Sequence, residues 1–318
     1  MPKHIFKPMK APSKDLLRLF SDESDKFNPD NFPFQNYGAS VKYDGIRAEI
    51  SNGDILSARG KALGNKHFHE VFTPIFEWSK ANPTIHVEGE LYHPDLTFQE
   101  ITSIVRSHDG ELDKLEFHVF DFQDINIPDR IFKERYSLLR SHVEANEWGE
   151  GIVAVEQEVL HNYDEFYQLF TDITEDGGEG LMLKAWDSHY KYGRATVNQG
   201  TFFKVKKFLT ADVTITGFIE GEKLKDGAEV RKGYWDGRTE RSRKKADYQK
   251  SGTLGALIVQ FGEHEVRVGS GLNDSLREKI WRNQPEFIGR TIEMRYMDCG
   301  RKNLPRFPTF IRFREDKD

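Results

Sequence analysis

Six consecutive residues, Lys42-Tyr43-Asp44-Gly45-Ile46-Arg47, put a lysine, an acid, a glycine and an arginine within one short strand and turn. At increasing distance follow Glu88-Gly89-Glu90, Phe120-Asp121, Glu179-Gly180-Leu181-Met182-Leu183-Lys184, Lys204-Val205-Lys206 and Arg314-Glu315-Asp316-Lys317. Together they fit a site in which a lysine amine attacks the α-phosphate of a nucleotide. A lysine nucleophile must be neutral, whereas its ordinary pKa is about 10.4, so burial or nearby positive charge has to lower it. Arg47, Lys204, Lys206 and a bound metal could supply that charge, and the same groups would hold the phosphate as charge develops on it. Taken alone, the hexapeptide is equally compatible with an ordinary solvated strand lysine.

Glu90 and Glu179 lie in glycine-flanked strand segments, where a ligand can approach the backbone closely. Two carboxylates beside a triphosphate are suited to Mg²⁺, a hard cation that takes oxygen ligands; Glu88 is expected on the same face as Glu90 but farther from the turn. Phe120 is placed either to stack on a purine or simply to fill a core. Lys204 and Lys206 are two apart on a strand and point the same way, a paired phosphate clamp, whereas Lys207 points elsewhere. His67, His69, His108, His118 and His161 are scattered without the spacing of a zinc site. There is no glycine-rich phosphate loop and no dinucleotide fingerprint, so a nucleotide has to be held in another way.

The elements that position these residues read as mostly β. Residues 39–60 alternate about Ser51-Asn52-Gly53-Asp54, predicting a β-hairpin with Lys42 at its mouth. Further strands are predicted at 85–92, 117–123, 152–160, 180–184 and 201–207, and helices at 129–146 and 163–174. Beyond Lys207 the pattern changes to short strands at 211–219, 254–261, 264–269 and 290–296 around a helix at 273–283, which suits a small Greek-key barrel of the OB type. The expected domains are therefore 1–207 and 208–318. Residues 222–250 stand apart as a glycine- and charge-rich insertion holding ten Lys/Arg against six acids, and a long stretch of that kind is usually functional or disordered.

The 318 residues carry a net charge of −6, which argues against a nucleic-acid partner until the chain is divided. Residues 1–210 hold 24 Lys/Arg against 34 Asp/Glu, and residues 211–318 hold 22 against 18. The C-terminal part is thus the one suited to face a polyanion. No apolar run is long enough for a membrane span, and the N-terminus has no leader pattern. A single cysteine, Cys299, allows no internal disulfide; a reducing cytoplasm and no membrane partner are expected.

The ordered set resembles the covalent nucleotidyltransferase superfamily and, within it, the ATP-dependent DNA ligases. The lysine motif matches at 42–47, an Arg-bearing segment at Leu56-Ser57-Ala58-Arg59-Gly60-Lys61, and the two glutamate motifs at 88–90 and 179–184. The aromatic motif matches at 117–121, the paired lysines at 204–206 and the terminal motif at 314–317. Ala211-Asp212-Val213, Gly252 to Leu257 and Val268 to Leu272 resemble the family's OB domain. The resemblance implies an α+β chain: a nucleotidyltransferase domain of antiparallel sheets with flanking helices, then an OB-fold β-barrel. It implies that Lys42 attacks ATP and carries AMP, that AMP passes to a 5′-phosphate at a nick in duplex DNA, and that the 3′-OH then displaces it, in replication, repair and recombination.

By the same resemblance Glu90 contacts ribose or metal and Glu179 the metal, Mg²⁺ with Mn²⁺ able to substitute. Phe120 stacks on adenine, Lys184 helps to hold the nucleotide, and Lys204 and Lys206 hold the α-phosphate. Arg47 and Arg59 bind ribose or the nick phosphate, and Arg314, Asp316 and Lys317 orient pyrophosphate. Ser40 stands where many DNA ligases carry a glutamate that reads the adenine amino group, so its hydroxyl or a backbone carbonyl would have to substitute. Only about 41 residues precede the lysine, as in minimal two-domain bacteriophage-like ligases, and a monomer in the cytoplasm, a host's if phage-encoded, is expected. The insertion at 222–250, with Arg238, Arg241, Arg243, Lys244 and Lys245, becomes the candidate grip on duplex DNA. An RNA ligase or an mRNA guanylyltransferase would share the lysine chemistry, and a non-catalytic OB protein that binds DNA ends is the remaining alternative. Deleting 231–245 is expected to weaken nick sealing far more than self-adenylylation; equal loss in the two assays would make the segment structural.

Overall fold

A computed structural model describes residues 6–20, 27–112, 114–225, 231–232, 239–240, 245–299 and 304–314. The chain divides into two compact units, with the change between Lys206 and Lys207. Among the described residues, the first unit contains nine strands: β1 Tyr37–Val41, β2 Ile46–Ser51, β3 Asp54–Ser57, β4 Ile85–Tyr92, β5 Glu116–Asp124, β6 Ile152–Ala154, β7 Glu158–Val159, β8 Gly180–Ala185 and β9 Phe202–Lys206. They form two sheets, ordered β7-β1-β8-β9 and β3-β2-β4-β5-β6. All pairings are antiparallel except β5 with β6.

Each sheet buries one face under helices. Beneath the four-stranded sheet, Leu181, Leu183, Phe203 and Val205 pack with Leu16 and Leu19 of α1 (Leu16–Phe20). Beneath the five-stranded sheet, Ala48, Ile50, Val87, Leu91, Phe117 and Val119 pack with Phe72, Ile75 and Phe76 at α3 (Thr73–Ala81), which follows the single turn α2 (Phe68–Val71). A fully buried side chain of this kind contributes about 1.5–3 kcal/mol, so period two along each strand commits the opposite face to the space between the sheets. Local signals set the remaining helix starts: Thr97 and Glu100 form a capping box for α4 (Phe98–Arg106), and Asn162 caps α6 (Tyr163–Glu175).

The structure corrects the expected hairpin around Lys42. The hairpin consists of β2 and β3 alone, with Asn52 and Gly53 both at positive φ (48° and 78°), the geometry of a two-residue type I′ turn. β1 belongs to the other sheet, so residues 42–45 are the crossing from one sheet to the other and Lys42 sits at that crossing. Gly45 is required there: a Cβ on it would lie 2.3 Å from Leu91 O.

A second departure from simple alternation lies in β5. Glu88 pairs with Asp121 while Gly89 pairs with Val119, so Phe120 is the extra residue of a β-bulge. Phe117 and Val119 face the core before it and Phe122 faces the core after it, which turns Phe120 and Asp121 toward the inter-sheet space. Asp121, fully buried, accepts from Arg135 Nε (2.8 Å) on α5 (Phe132–Glu144) and from Lys184 on β8. Burial alone would raise the Asp121 pKa; the two cations overcome it and hold the carboxyl below its usual range.

The second unit contains β10 Leu209–Leu224, the short pair β11 Arg231–Lys232 and β12 Thr239–Glu240, then β13 Tyr248–Phe261, β14 His264–Val268, β15 Thr291–Cys299 and β16 Pro305–Phe313. The five long strands run β14-β13-β10-β15-β16, with α7 (Asp274–Arg282) and α8 (Gln284–Phe287) between β14 and β15. Phe310 N donates to Ser270 O (2.9 Å) beside a Ser270–Thr309 bridge, drawing the outer strands together. This is an OB-like architecture. The insertion has a strand base, since β10 and β13 stay paired out to Leu224–Tyr248; a period-two reading of the charged residues 220–224 misses it.

The Asp121 cluster yields a stability test. Arg135→Ala removes a fully buried cation that also donates to Arg130 O and Ser188 O. The expected loss is about 3–5 kcal/mol, measured as a shift of the urea unfolding midpoint of the first unit.

Candidate active site

The cavity between the two sheets of the first unit, about 360 Å³, is lined from the four-stranded side by three cross-strand rows. Lys42 N donates to Gly180 O (2.8 Å), and Gly180 pairs with Lys206. Ser40 pairs with Met182 and Met182 with Lys204; Gly38 pairs with Lys184 and Lys184 with Phe202. Cross-strand partners share a face, so Lys42, Ser40, Lys204, Lys206 and Lys184 stand on the face opposite the Leu181–Phe203 core. Gly180 has φ 141°, and a Cβ on it would lie 2.0 Å from Val205 O; only glycine fits where β8 begins between Lys42 and Lys206.

Glu179, immediately before that glycine, ties the first row together. One carboxylate oxygen pairs with Lys42 Nζ and the other with Lys206 Nζ. Lys204 lies half-buried beside Lys206, and burial followed by the Lys206 charge pushes its pKa down. Behind these lysines lies Asp15, whose carboxyl is 5% exposed and is pushed up to about 6 by burial, against Lys204 and Lys206.

The five-stranded sheet supplies the opposite wall. Arg47 NH2 donates to Glu88 Oε2 (2.8 Å), Tyr190 Oη to Glu88 Oε1 (2.9 Å), and Met9 N to Tyr190 Oη (2.8 Å). The Arg47 guanidinium lies 5.2 Å from the Phe120 ring centroid, and that ring forms part of the cavity wall. Burial works against the Arg47 charge, but Glu88, Tyr190 and Glu90 outweigh it and raise its pKa. Glu90 pairs with Arg47 across the strands. Burial pushes its carboxyl up to about 7, with Lys42 and Arg47 pulling it down and Glu179 pushing it up.

Lys42, Ser40, Arg47, Glu90, Phe120, Lys184, Lys204 and Lys206 thus line one cavity, and Glu179 bonds two of them. Lys184 is occupied: it pairs with Asp121, and its ammonium lies 4.7 and 4.9 Å from the Phe132 and Phe202 ring centroids. Arg59 is exposed in the turn after β3 and does not line the cavity. Arg314 belongs to the second unit, where it pairs with Asp212 (2.8 Å) and Glu293 (3.6 Å). Asp316, Lys317, Arg238, Arg241, Arg243 and Lys244 lie outside the described residues, as does the Lys245 side chain.

Sequence reasoning missed part of the wall. Lys10, Ala11 and Arg194 line the cavity, joined where Lys10 N donates to Gly193 O (2.8 Å) and Ala195 N to Lys10 O (2.7 Å). No periodicity marks this short bridge between distant loops. Glu88, expected farther from the turn than Glu90, is the anchor of Arg47 through its two partners. Chemically, the cavity is a cluster of cations around an apolar slot, with two carboxylates at its lysine end. It can hold a polyphosphate at that end and a flat ring between Phe120 and Met182.

The chain matches two family profiles: "ATP dependent DNA ligase domain" over residues 26–206 and "DNA ligase OB-like domain" over residues 247–314. It is 25% identical over 285 residues to a DNA ligase of Haemophilus influenzae, covering 89% of this chain and 88% of that protein. The fold is similar to a Lig E DNA ligase structure (TM-score 0.66, 23% identity, 89% of this chain and 94% of that one). It is also similar to the structure named Pmar-Lig_PreS3 (TM-score 0.71, 20% identity, 97% of this chain and 68% of that one). With a ligase profile spanning more than half of its length and laid over the walls of this cavity, the chain belongs to the ATP-dependent DNA ligase family.

Proposed function

We propose that Lys42 is the nucleophile of this ATP-dependent DNA ligase and that the cavity between the two sheets is its ATP site. The observation that carries this reading is the carboxylate of Glu179 shared between Lys42 and Lys206 at the polar end of the cavity. In the first step the Lys42 Nζ lone pair attacks the α-phosphorus, the bond to the bridging oxygen of the β-phosphate breaks, pyrophosphate leaves and the amine gives up a proton. In the second, a 5′-phosphate oxygen of nicked duplex DNA attacks the AMP phosphorus and frees Lys42. In the third, the 3′-OH attacks the 5′-phosphate, AMP departs and the strand is joined. Phosphoryl transfer of this kind depends on positioning and charge more than on covalent assistance.

Before ATP arrives, the ion pair with Glu179 ties up Lys42 Nζ. Triphosphate oxygens compete for Lys206 and Lys204, and the exchange frees Lys42 for in-line attack. Phe120, steadied by Arg47, stacks on the base, while Lys204 and Lys206 hold the α-phosphate. The donor chemistry of Glu90 and Glu179, two carboxylates close enough that the Glu179 charge acts on Glu90, fits a hard divalent cation. Among the described residues no group of three His, Cys, Asp or Glu forms a site by itself, so phosphate oxygens would complete the coordination. Mg²⁺ bound there would neutralise developing phosphate charge. The enzyme acts as a monomer.

Incubation with α-labelled ATP and Mg²⁺ is expected to leave label on the protein, and Lys42→Ala to abolish it; no label, or label from GTP alone, would sink this reading. Glu90 gives a pH test with a definite sign. Its folded value of about 7 lies above the unfolded value of about 4.3, so the folded chain binds the extra proton and stability declines as pH rises between those values. Glu90→Gln is expected to melt above the parent chain at pH 8 with the gap closing by pH 5, read by calorimetry, while its self-adenylylation falls.

A further inference from the structure

We infer that Gln157 is the residue that reads the 6-amino group of adenine, in place of the glutamate absent at position 40. The inference rests on the cavity being the ATP site. β1 and β7 pair as Gly38 with Val159 and Ala39 with Glu158; the same register continued sets Gln157 across from Ser40. Both residues line the cavity. Ser40 is short and only 8% exposed, so its hydroxyl cannot reach as far as a glutamate carboxylate.

The Gln157 amide is poorly satisfied by the protein. Its Nε2 donates a long bond to Val155 O (3.4 Å), and its buried Oε1 has no hydrogen-bond partner among the described residues. A buried acceptor without a partner is costly, and here packing alone holds it. A Cβ on Gly38 would lie 2.8 Å from Oε1 and 2.9 Å from the Trp186 ring, so the missing side chain of Gly38 makes the room that the amide occupies. The terminal torsion of glutamine is soft, and a turn about it aims Oε1 at the base edge.

Adenine presents an amino donor at its 6-position, whereas guanine presents an oxygen acceptor there. Gln157 Oε1 accepts from the adenine amino group, a bond that a purine without the 6-amino group cannot make. A site built to bond a polar substituent rejects the analogue that lacks it because its own group is left unpaired.

The test compares labelling of the protein by ATP and by purine riboside triphosphate, which lacks only the 6-amino group, in the parent chain and in Gln157→Leu. The parent chain is expected to prefer ATP by about tenfold in kcat/KM, the worth of one such bond. In Gln157→Leu that ratio should fall to near one, with the loss on ATP alone and expressed in KM. Equal losses on both nucleotides would make Gln157 a packing residue and overturn the proposal, as would a parent chain that does not distinguish the two. The parent comparison stands even if the variant does not fold. Absence of label from either nucleotide would sink the ATP-site reading itself, and the proposal with it.

Discussion

The structure depends on keeping several cations close together around one cavity before any polyphosphate is present to neutralise them. Two unit charges about 4 Å apart interact by about 4 kcal/mol at the dielectric effective near a protein surface, so the cluster of Lys42, Lys204, Lys206, Lys184 and Arg47 has to be compensated from within. The chain does this with carboxylates shared between partners. Glu179 serves Lys42 and Lys206, Asp121 serves Arg135 and Lys184, and Glu88 serves Arg47 together with the Tyr190 hydroxyl.

These carboxylates differ in burial, and burial separates scaffold from working parts. Asp121 and Arg135 are fully enclosed, so nothing from solvent competes for them and they fix β5, α5 and β8 relative to one another. Lys42 and Lys206 keep side-chain exposures of 22% and 18%. Their ion pairs with Glu179 are therefore open to competition from solvent and anions, which the Asp121 pairs are not. Arg47 lies between these cases: Glu88 anchors it from behind while its guanidinium covers Phe120 at the cavity wall.

Two irregularities of the backbone bring these groups to one place. The crossing at residues 42–45 passes the chain from the four-stranded to the five-stranded sheet, which sets Lys42 against Glu179 and Arg47 against Glu90. The bulge at Phe120 changes which residues of β5 face the space between the sheets: Phe120 lines the cavity, and Asp121 is enclosed with Arg135 and Lys184. Strict alternation after Phe117 and Val119 would put Asp121 in the core and Phe122 outside it; the bulge reverses those two, while Phe120 faces away from the core in either case.

The sequence by itself determined what depends on local order. Period two put Lys204 and Lys206 on one face, Asn52-Gly53 made a turn, and the spacing of the motifs carried the family resemblance and the OB-like second unit. These properties are legible because they arise between near neighbours, where backbone sterics and side-chain direction fix the outcome. Only the tertiary structure decided that Lys42 belongs to a crossing and not to a hairpin, that Phe120 is bulged, that Glu88 anchors Arg47, and that Arg59 stays away from the cavity. It alone brought Lys10, Arg194 and Gln157 to the wall. Each of those outcomes is set by which strand pairs with which and at what register, a contact between distant residues whose energy no local pattern of residue types records.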